Sequence, residues 1–161
     1  PESYYDLVRA GGLYLGYDPC EGEYNKLGLE FALSWKAWVT NVKYVEAGDS
    51  VGYNRRFMAK RKTKVATLSF GYGDGYIQDL INKGGEVIIR GQKVPMIGIC
   101  MDQAFVDVTK IDDVSIGDEV TIIGKDGDAE ITVFDLAKKL NAPYVYVLSN
   151  IGKRVLRIYK K

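Results

Sequence analysis

The sequence predicts a mainly β protein built around one compact, barrel-like domain. Short segments rich in β-branched and aromatic residues recur along most of the chain, and Gly, Asp or Pro separates them. Only one segment, which begins at Thr132, combines a capping box with apolar residues at helical spacing. Many short strands and little helix are typical of a small β-barrel, here with roughly seven to nine strands.

The predicted strands are segments in which apolar residues alternate with polar ones or run together. The longest of them ends at Gly48 and Asp49. Gly91 and Gln92 separate two strands and predict a hairpin, and the polar segment 125–128 predicts a turn. In chain order, the strand predictions are 7–16 (with a glycine-bearing turn at its end), 31–45, 64–70, 86–90, 93–100, 104–108, 119–124 and 155–159.

One convincing helix is predicted near the end of the chain. Thr132 and Asp135 have the spacing of a capping box, and Asn141 and Pro143 end the segment. The apolar residues that share one face are Val133, Leu136, Ala137 and Leu140. The segment 76–82 predicts one further, shorter helix.

The chain divides into three parts by pattern. Residues 1–17 resemble a brief α/β remnant, because a short strand is followed by glycines. Residues 18–28 are polar and contain Pro19, Gly22 and Gly28, which indicates a linker. Residues 29–161 form the predicted β domain.

Composition excludes several classes of function. Lys and Arg number 22 against 21 Asp and Glu, and a net charge of +1 gives no reason to expect a nucleic-acid partner. No apolar run approaches the roughly 20 residues that span a bilayer. Cys20 and Cys100 are too few for a disulfide framework or a zinc site, so we expect free thiols in a reducing cytoplasm.

The absence of histidine is more informative. The chain has 0 His, which excludes a Ser-His-Asp triad, a Cys-His pair and any His-ligated metal site within it. We expect no metal. Proton transfer must use Tyr, Lys, Asp, Glu or Cys, and the 12 Tyr residues make Tyr the abundant candidate.

Three segments carry residues of the kind found in active sites. Glycines after a strand, as in 8–12, let backbone N–H groups approach a phosphate. Glycines around Tyr53 and Tyr72 indicate tight loops that present aromatic hydroxyls. The segment 99–103 is an apolar strand that ends in a carboxylate and an amide. Taken singly, each is ordinary, and a small β-barrel binding module is an equally good interpretation.

Taken together and in order, these segments resemble the motifs of the alanine racemase family. The family pattern is Arg-Pro-Gly-Ile, Tyr-Gly, Gly-Tyr-Ala-Asp-Gly, Ile-Cys-Met-Asp-Gln and Arg-Val-Pro-Arg. The matching segments here are Arg-Ala-Gly-Gly at 9–12, Gly-Tyr-Asn at 52–54, Gly-Tyr-Gly-Asp-Gly at 71–75, Ile-Cys-Met-Asp-Gln at 99–103 and Arg-Val-Leu-Arg at 154–157. The resemblance covers nearly the whole chain, and the Cys-Met-Asp-Gln motif is specific.

The resemblance implies a racemase that uses pyridoxal 5'-phosphate (PLP). Family members have an N-terminal (β/α)8 barrel, which binds PLP, and a C-terminal β domain, so residues 1–17 would be the end of that barrel. They work as head-to-tail homodimers, interconvert L- and D-alanine and supply D-alanine for peptidoglycan. A barrel lysine holds the cofactor and acts as one base, and Tyr53 matches the second base, which comes from the partner subunit. We therefore expect this chain alone to be inactive.

The other site residues follow by the same matching. Arg9 matches the residue that faces the pyridine nitrogen of PLP, and Gly11 and Gly12 match backbone donors to its phosphate. Tyr72 matches a tyrosine at the active-site entrance. Met101 and Asp102 match residues that line the substrate side of the active site.

This sequence departs from the family in several places. Ala10 replaces Pro, Gly12 replaces an apolar residue, Asn54 replaces Gly, and Gly73 replaces Ala. The segment before Cys100 lacks an Arg and is one residue short, which predicts a shifted strand register.

A further departure concerns substrate specificity. The family tyrosine that bonds the PLP phosphate falls on Val145, between Tyr144 and Tyr146, when residues are counted back from Arg154. Either the pairing slips by one residue or the hydroxyl is absent. Serine racemases of the family lack this tyrosine, so a serine substrate stays open. Two wider alternatives stay open as well: a β module that has lost catalysis and serves dimerisation or binding, and the cytosolic domain of a membrane-anchored racemase.

Overall fold

The computed structural model describes residues 5–7, 9, 11–17 and 28–160, and the chain divides into two compact units, Pro1–Ser34 and Trp35–Lys161. The predicted linker lies almost entirely outside the described residues, so the predicted boundaries at 17 and 28 stay predictions. Within the part that the structure describes, no helix is long and apolar enough to cross a membrane.

The first unit contains a 3-10 helix, Gly11–Leu15, in place of the strand predicted over 7–16. Gly11 has φ 59°, which a strand does not allow. The Tyr17 ring stacks on Phe31 with 5.3 Å between centroids, and Ala32 N–H donates to Leu15 O at 3.1 Å. The described residues of this segment contain no strand, and its predicted glycine-bearing turn takes the form of a 3-10 helix. Residues 8 and 10 of the predicted strand lie outside the described residues.

The second unit contains nine strands and two α-helices among its described residues. The strands are β1 (Trp35–Val45), β2 (Ser50–Val51), β3 (Phe57–Met58), β4 (Thr63–Leu68), β5 (Glu86–Ile89), β6 (Gln92–Ile99), β7 (Ala104–Asp107), β8 (Glu119–Asp126) and β9 (Ala129–Ile131). The helices are α1 (Val133–Leu140) and α2 (Tyr144–Asn150), and three 3-10 turns cover Tyr53–Arg55, Tyr72–Asp74 and Gln78–Ile81.

Six of these strands close into a ring, in the order β1-β4-β7-β6-β5-β8, and β9 extends the sheet beyond β8. The ring closes because β1 pairs with β8 through Trp35–Trp38 and with β4 through Val39–Val45. Closure removes the free edges that an open sheet of this size would expose. The predicted barrel-like β domain is confirmed.

Two neighbouring strands of the barrel, β5 and β8, are buried on both faces. In β5 the consecutive residues Val87, Ile88 and Ile89 are all buried, as are Ile122 and Ile123 of β8. Continuous burial means that neither face of these strands meets water. The predicted hairpin is present, with Arg90 and Gly91 as its two-residue turn, one residue earlier than predicted.

Helix α1 begins with the predicted capping box. The Thr132 hydroxyl accepts a hydrogen bond from Asp135 N–H at 3.0 Å, and Asp135 Oδ2 accepts one from Thr132 N–H at 2.8 Å. We expect Thr132→Ala to lower the free energy of unfolding by about 1 kcal/mol. Thr132→Ser, which keeps the hydroxyl, serves as the control. Urea unfolding followed by circular dichroism measures both, and equal losses in the two variants would contradict the capping role.

Helix α2 was not predicted, and the strand predicted over 155–159 is wrong. The C-terminal segment turns back on itself: Val155 N–H donates to Gly152 O at 3.2 Å. The Arg157 guanidinium donates to three backbone carbonyls, those of Ile151, Gly152 and Val155. These local bonds replace the ladder that a strand needs, since no described strand pairs with this segment.

Candidate active site

Tyr53 lies at the tip of a small hairpin that stands apart from the barrel strands. β2 and β3 pair through Ser50 with Met58 and Val51 with Phe57. The connecting loop requires left-handed backbone at Asn54, which has φ 58° and ψ 19°. Asn tolerates this conformation better than other non-glycine residues, which explains how it stands where the family has Gly. The loop leaves Tyr53 67% exposed.

The base of this hairpin is held by the core. Val51 and Ala59 are buried in a cluster with Val45 and Val65, and the partly buried Phe57, Ile97 and Phe105 pack against that cluster. Hydrogen bonds from Gly48 N–H to Ala59 O and from Ala59 N–H to Asp49 O, both 2.8 Å, close the base. The tip that carries Tyr53 is thus attached to a base held by the core, and the phenol is presented at a defined place.

Tyr72 lies on a second tight turn, which is docked onto the turn between β6 and β7. Tyr72 N–H donates to Cys100 O at 3.0 Å, and Gly73 N–H donates to Met101 O at 2.8 Å. A Cβ on Gly71 would lie 2.4 Å from Cys100 O. Only glycine permits this approach, so the glycine-rich motif and the Cys-Met-Asp motif form one structural unit.

Asp74 forms hydrogen bonds and an ion pair both within the Tyr72 turn and with the C-terminal segment. Its carboxylate accepts a hydrogen bond from Gly71 N–H at 2.9 Å and pairs with Arg154 at 3.5 Å. Its backbone carbonyl accepts one from Gly152 N–H at 2.7 Å. A Cβ on Gly73 would lie 2.8 Å from the backbone oxygen of Met101, so in this structure the close approach of the two turns favours glycine at this position.

A cleft of about 330 Å³ brings Tyr53 and Tyr72 together. Its other polar lining groups belong to Asn54, Arg56 and Gln78, and residues 97–99 of β6 form an apolar wall. Among the residues that the structure describes, no acidic residue lines it. No sequence motif indicated Arg56 or Gln78, because these side chains reach the cleft only through the hairpin and the 3-10 turn that carry them.

Met101 and Asp102 lie beside this cleft rather than in its lining. Both are exposed on the β6–β7 turn. Next to them, burial raises the pKa of the Cys100 thiol and the Asp102 carboxylate raises it further. A raised pKa lowers the thiolate fraction, which makes the Cys100 thiol a weaker nucleophile. The β6–β7 ladder shows a register shift between Met96 and Gly98, in the segment that is short relative to the family.

Tyr76, unlike Tyr53 and Tyr72, is a buried tyrosine and does not suit the role of a proton-transfer base. It is buried, and burial, with a smaller contribution from Glu86, raises the pKa of its hydroxyl far above the ordinary value. The ring packs on Phe70 with 5.4 Å between centroids. Its role is therefore in the core.

The residues matched to cofactor binding lie in the first unit. Arg9 is exposed, and Gly11 and Gly12 form the first turn of the 3-10 helix. Val145 lies on α2 and is half exposed. Its neighbour Tyr144 packs on Phe134 with 5.2 Å between centroids.

Comparison with known protein families shows to which family the chain belongs. The family described as alanine racemase, C-terminal domain, matches residues 32–159. The chain belongs to the alanine racemase family. The alanine racemase of Clostridium kluyveri is 42% identical over 163 residues, which cover 100% of this chain and 41% of that protein. The chain thus spans about two fifths of the length of the curated alanine racemases it matches.

Solved structures of alanine racemases share the same fold. The alanine racemase of Bartonella henselae with covalently bound pyridoxal phosphate superposes with a TM-score of 0.81 at 32% identity, covering 91% of this chain and 39% of that one. The histidine racemase of Leuconostoc mesenteroides has a TM-score of 0.72 at 35% identity, covering 81% and 34%. Racemases of different amino acids therefore share this alanine racemase domain.

Proposed function

We propose that this chain is the C-terminal part of a PLP-dependent amino-acid racemase and that it supplies one of the two proton-transfer groups, the Tyr53 hydroxyl. The observation that carries the proposal is the placement of Tyr53. It is exposed at the tip of a hairpin with a fixed base, on a cleft that it shares with Tyr72 and whose described lining residues include no carboxylate. Family membership supports the reaction class.

Racemisation requires a proton-transfer group on each face of Cα, since one group does not reach both. As the phenolate, Tyr53 would accept the Cα proton of one enantiomer, while the group on the opposite face donates a proton to Cα to give the other; in the reverse direction the Tyr53 hydroxyl would donate its proton to Cα on its own face. A phenol has a free pKa of about 10 and needs cationic neighbours to act as a base near neutral pH. The described lining of the cleft around Tyr53 contains Arg56 and no acidic side chain, which suits that requirement.

The residues of the first unit fit the phosphate and ring of PLP. Gly11 has open space where a Cβ would stand, and Gly11–Leu15 has no acidic residue in its first turn. Open backbone without negative charge suits an anionic phosphate. The guanidinium of Arg9 would face the pyridine nitrogen. When bound, PLP withdraws electrons from the substrate and acidifies the proton on Cα.

The proposed substrate is a small amino acid, alanine first. Tyr72 would bound the pocket on one side, with Met101 and Asp102 nearby on the turn that holds it. Serine is the second candidate, and it is favoured by Val145, which has no hydroxyl where the family tyrosine is expected by ungapped counting. Racemase assays of the full-length protein with alanine and serine distinguish them.

We propose that the full-length protein is a cytoplasmic head-to-tail homodimer in which Tyr53 serves the cofactor site of the other subunit. Subunit complementation tests this. A Tyr53→Phe protein is mixed with a variant that lacks the cofactor lysine of the barrel, and subunits are allowed to exchange. Each parent is inactive, but a heterodimer holds one intact composite site, so about half of the wild-type activity per heterodimer should return, by two-fold symmetry.

The control is each parent alone carried through the same exchange. Heterodimer formation is confirmed by affinity tags on the two parents. If tagged heterodimers form and no activity returns, the sites are not shared between subunits. If the wild-type protein does not racemise any amino acid, the proposed function itself is wrong.

A further inference from the structure

A second groove, of about 450 Å³, lies along the β3 strand of the Tyr53 hairpin, and Arg56 is the one described residue that it shares with the Tyr53–Tyr72 cleft. Small-molecule sites in proteins have volumes of about 300–1,000 Å³, so a groove of this size suits a small ligand. We call it the basic groove. Its described lining consists of Arg56, Phe57, Met58, Lys60, Arg61, Thr63 and Asp107.

The segment that forms most of the basic groove is strongly cationic. Residues 55–64 contain six Lys or Arg and no Asp or Glu, whereas the whole chain has a net charge of +1. The exposed cations of this segment are Arg55, Arg56, Lys60, Arg61 and Lys62. Such a concentration of one sign of charge on one surface attracts a ligand of the opposite sign.

Two cations of the basic groove have no protein partner. Arg61 pairs with Asp107 at 3.0 Å, and that carboxylate also accepts hydrogen bonds from the backbone N–H and the hydroxyl of Thr109. The one acidic residue of the described lining is therefore already neutralised. Among the described residues, the side chains of Arg56 and Lys60 take part in no ion pair or hydrogen bond. Both are available to an anionic ligand.

An apolar surface lies beside these cations. The Met58 side chain is 45% exposed, and Phe57 is half-buried because it packs against the core cluster at the base of the hairpin. A methionine side chain adapts to flat apolar groups, since it is unbranched and polarisable. The combination suits a small ligand that carries two or more negative charges next to a flat apolar group.

We propose that the basic groove is a binding site for a small phosphorylated ligand, whose phosphate groups contact Arg56 and Lys60. A guanidinium matches phosphate oxygens with parallel N–H donors, and an ammonium adds a compact charge. Nucleotides and inorganic polyphosphate share this chemistry, and the Met58 surface favours a nucleotide, whose base it would contact. The inference goes beyond the proposed racemase function, because the binding is measured without turnover.

The test is isothermal titration calorimetry of the full-length protein with PLP bound, so that the cofactor's own phosphate site is filled. The two probes are ATP without magnesium and inorganic tripolyphosphate. Both should bind, and the affinity should fall with salt, because exposed charges are screened. Lys60→Gln should weaken the binding of both probes about tenfold or more, since a hydrogen bond to a charged group is lost. Lys60→Arg, which keeps the charge, should retain the binding.

Lys93→Gln is the matched control. Lys93 is also an exposed lysine of this domain, but it does not line the basic groove. Its substitution removes the same charge from the protein and should change the affinity by less than about twofold. Circular dichroism checks that each variant is folded, and Lys60→Arg keeps the test decisive if the glutamine variant is not.

The two probes distinguish the sources of the phosphate. Tighter binding of ATP, with a loss in Met58→Ser that tripolyphosphate does not show, identifies a nucleotide, whereas equal binding of both probes identifies the phosphate groups alone. The site is refuted if neither probe binds, or if Lys60→Gln and Lys93→Gln change the affinity equally. A protein that binds the probes at this groove but racemises no amino acid would refute the proposed function and leave the site intact.

Discussion

Tyr53→Phe in the full-length enzyme is expected to reduce net racemisation by about 10²- to 10⁴-fold, the usual contribution of a positioned proton-transfer group. The kcat/KM values of the two directions should fall equally. The two enantiomers have the same free energy in water, so the equilibrium constant is 1, and it fixes the ratio of these two values. Exchange of the Cα proton with solvent should persist for one enantiomer and be lost for the other. That asymmetry shows which face Tyr53 serves.

The measurement is the incorporation of solvent deuterium into each enantiomer, followed by NMR, beside the racemisation rate. Tyr44→Phe is the matched control, because Tyr44 is also an exposed tyrosine of this domain but lies outside the cleft. Neither variant should change the free energy of unfolding by more than about 0.5 kcal/mol, since both hydroxyls are on exposed side chains. Equal, near-normal exchange of both enantiomers in Tyr53→Phe would show that another residue is the base.

Gly75→Ala is expected to lower the free energy of unfolding by roughly 3 kcal/mol. This is a large effect for a substitution that removes no contact and only adds a methyl group. Gly75 ends the Tyr72 turn with φ 108°, and a Cβ there would lie 2.0 Å from the backbone oxygen of Asn150 at the end of α2. The hydrogen bond from Gly152 N–H to Asp74 O, at 2.7 Å, holds the two backbones together beside this contact. The full-length enzyme should also lose activity, because Tyr72 sits on that turn.

Gly84→Ala separates the two causes of this loss. Gly84 also has positive φ, 71°, but a Cβ there meets only the flexible end of Lys139, at 3.9 Å. It should therefore cost about 1 kcal/mol, from backbone strain alone. Urea unfolding compares the two variants. If they lose equal stability, the close approach of the Tyr72 turn and α2 does not constrain the fold.

The strands were predictable where the pattern is local. The hairpin of β5 and β6, the strand β8 and the capping box of α1 follow from alternation, turn residues and hydrogen bonds between near neighbours. The helix α2 was not predictable in this way, since Tyr144–Asn150 is rich in valine and tyrosine, which favour strands. The helix forms where packing, including Tyr144 on Phe134, outweighs that propensity.

In the candidate site, too, the residues were predictable from local motifs, whereas their arrangement in space was not. Tyr53, Tyr72, Met101 and Asp102 were found because short motifs in order resemble a family. Their grouping was not visible from spacing: the structure places two of them on one cleft and two on the neighbouring turn. Asn54 illustrates the difference, because it departs from the family in sequence and satisfies the required left-handed backbone in the structure.

Residue types and their local order were thus enough to establish the β class, the single capped helix, the absence of histidine chemistry and the family. These depend on propensities and motifs that act over a few residues. The closure of the barrel through β1, the docking of the Tyr72 turn against 100–103 and the arrival of Arg56 in the cleft depend on contacts between residues far apart in the chain. Such contacts form only when the whole core packs, so only the tertiary structure decided them.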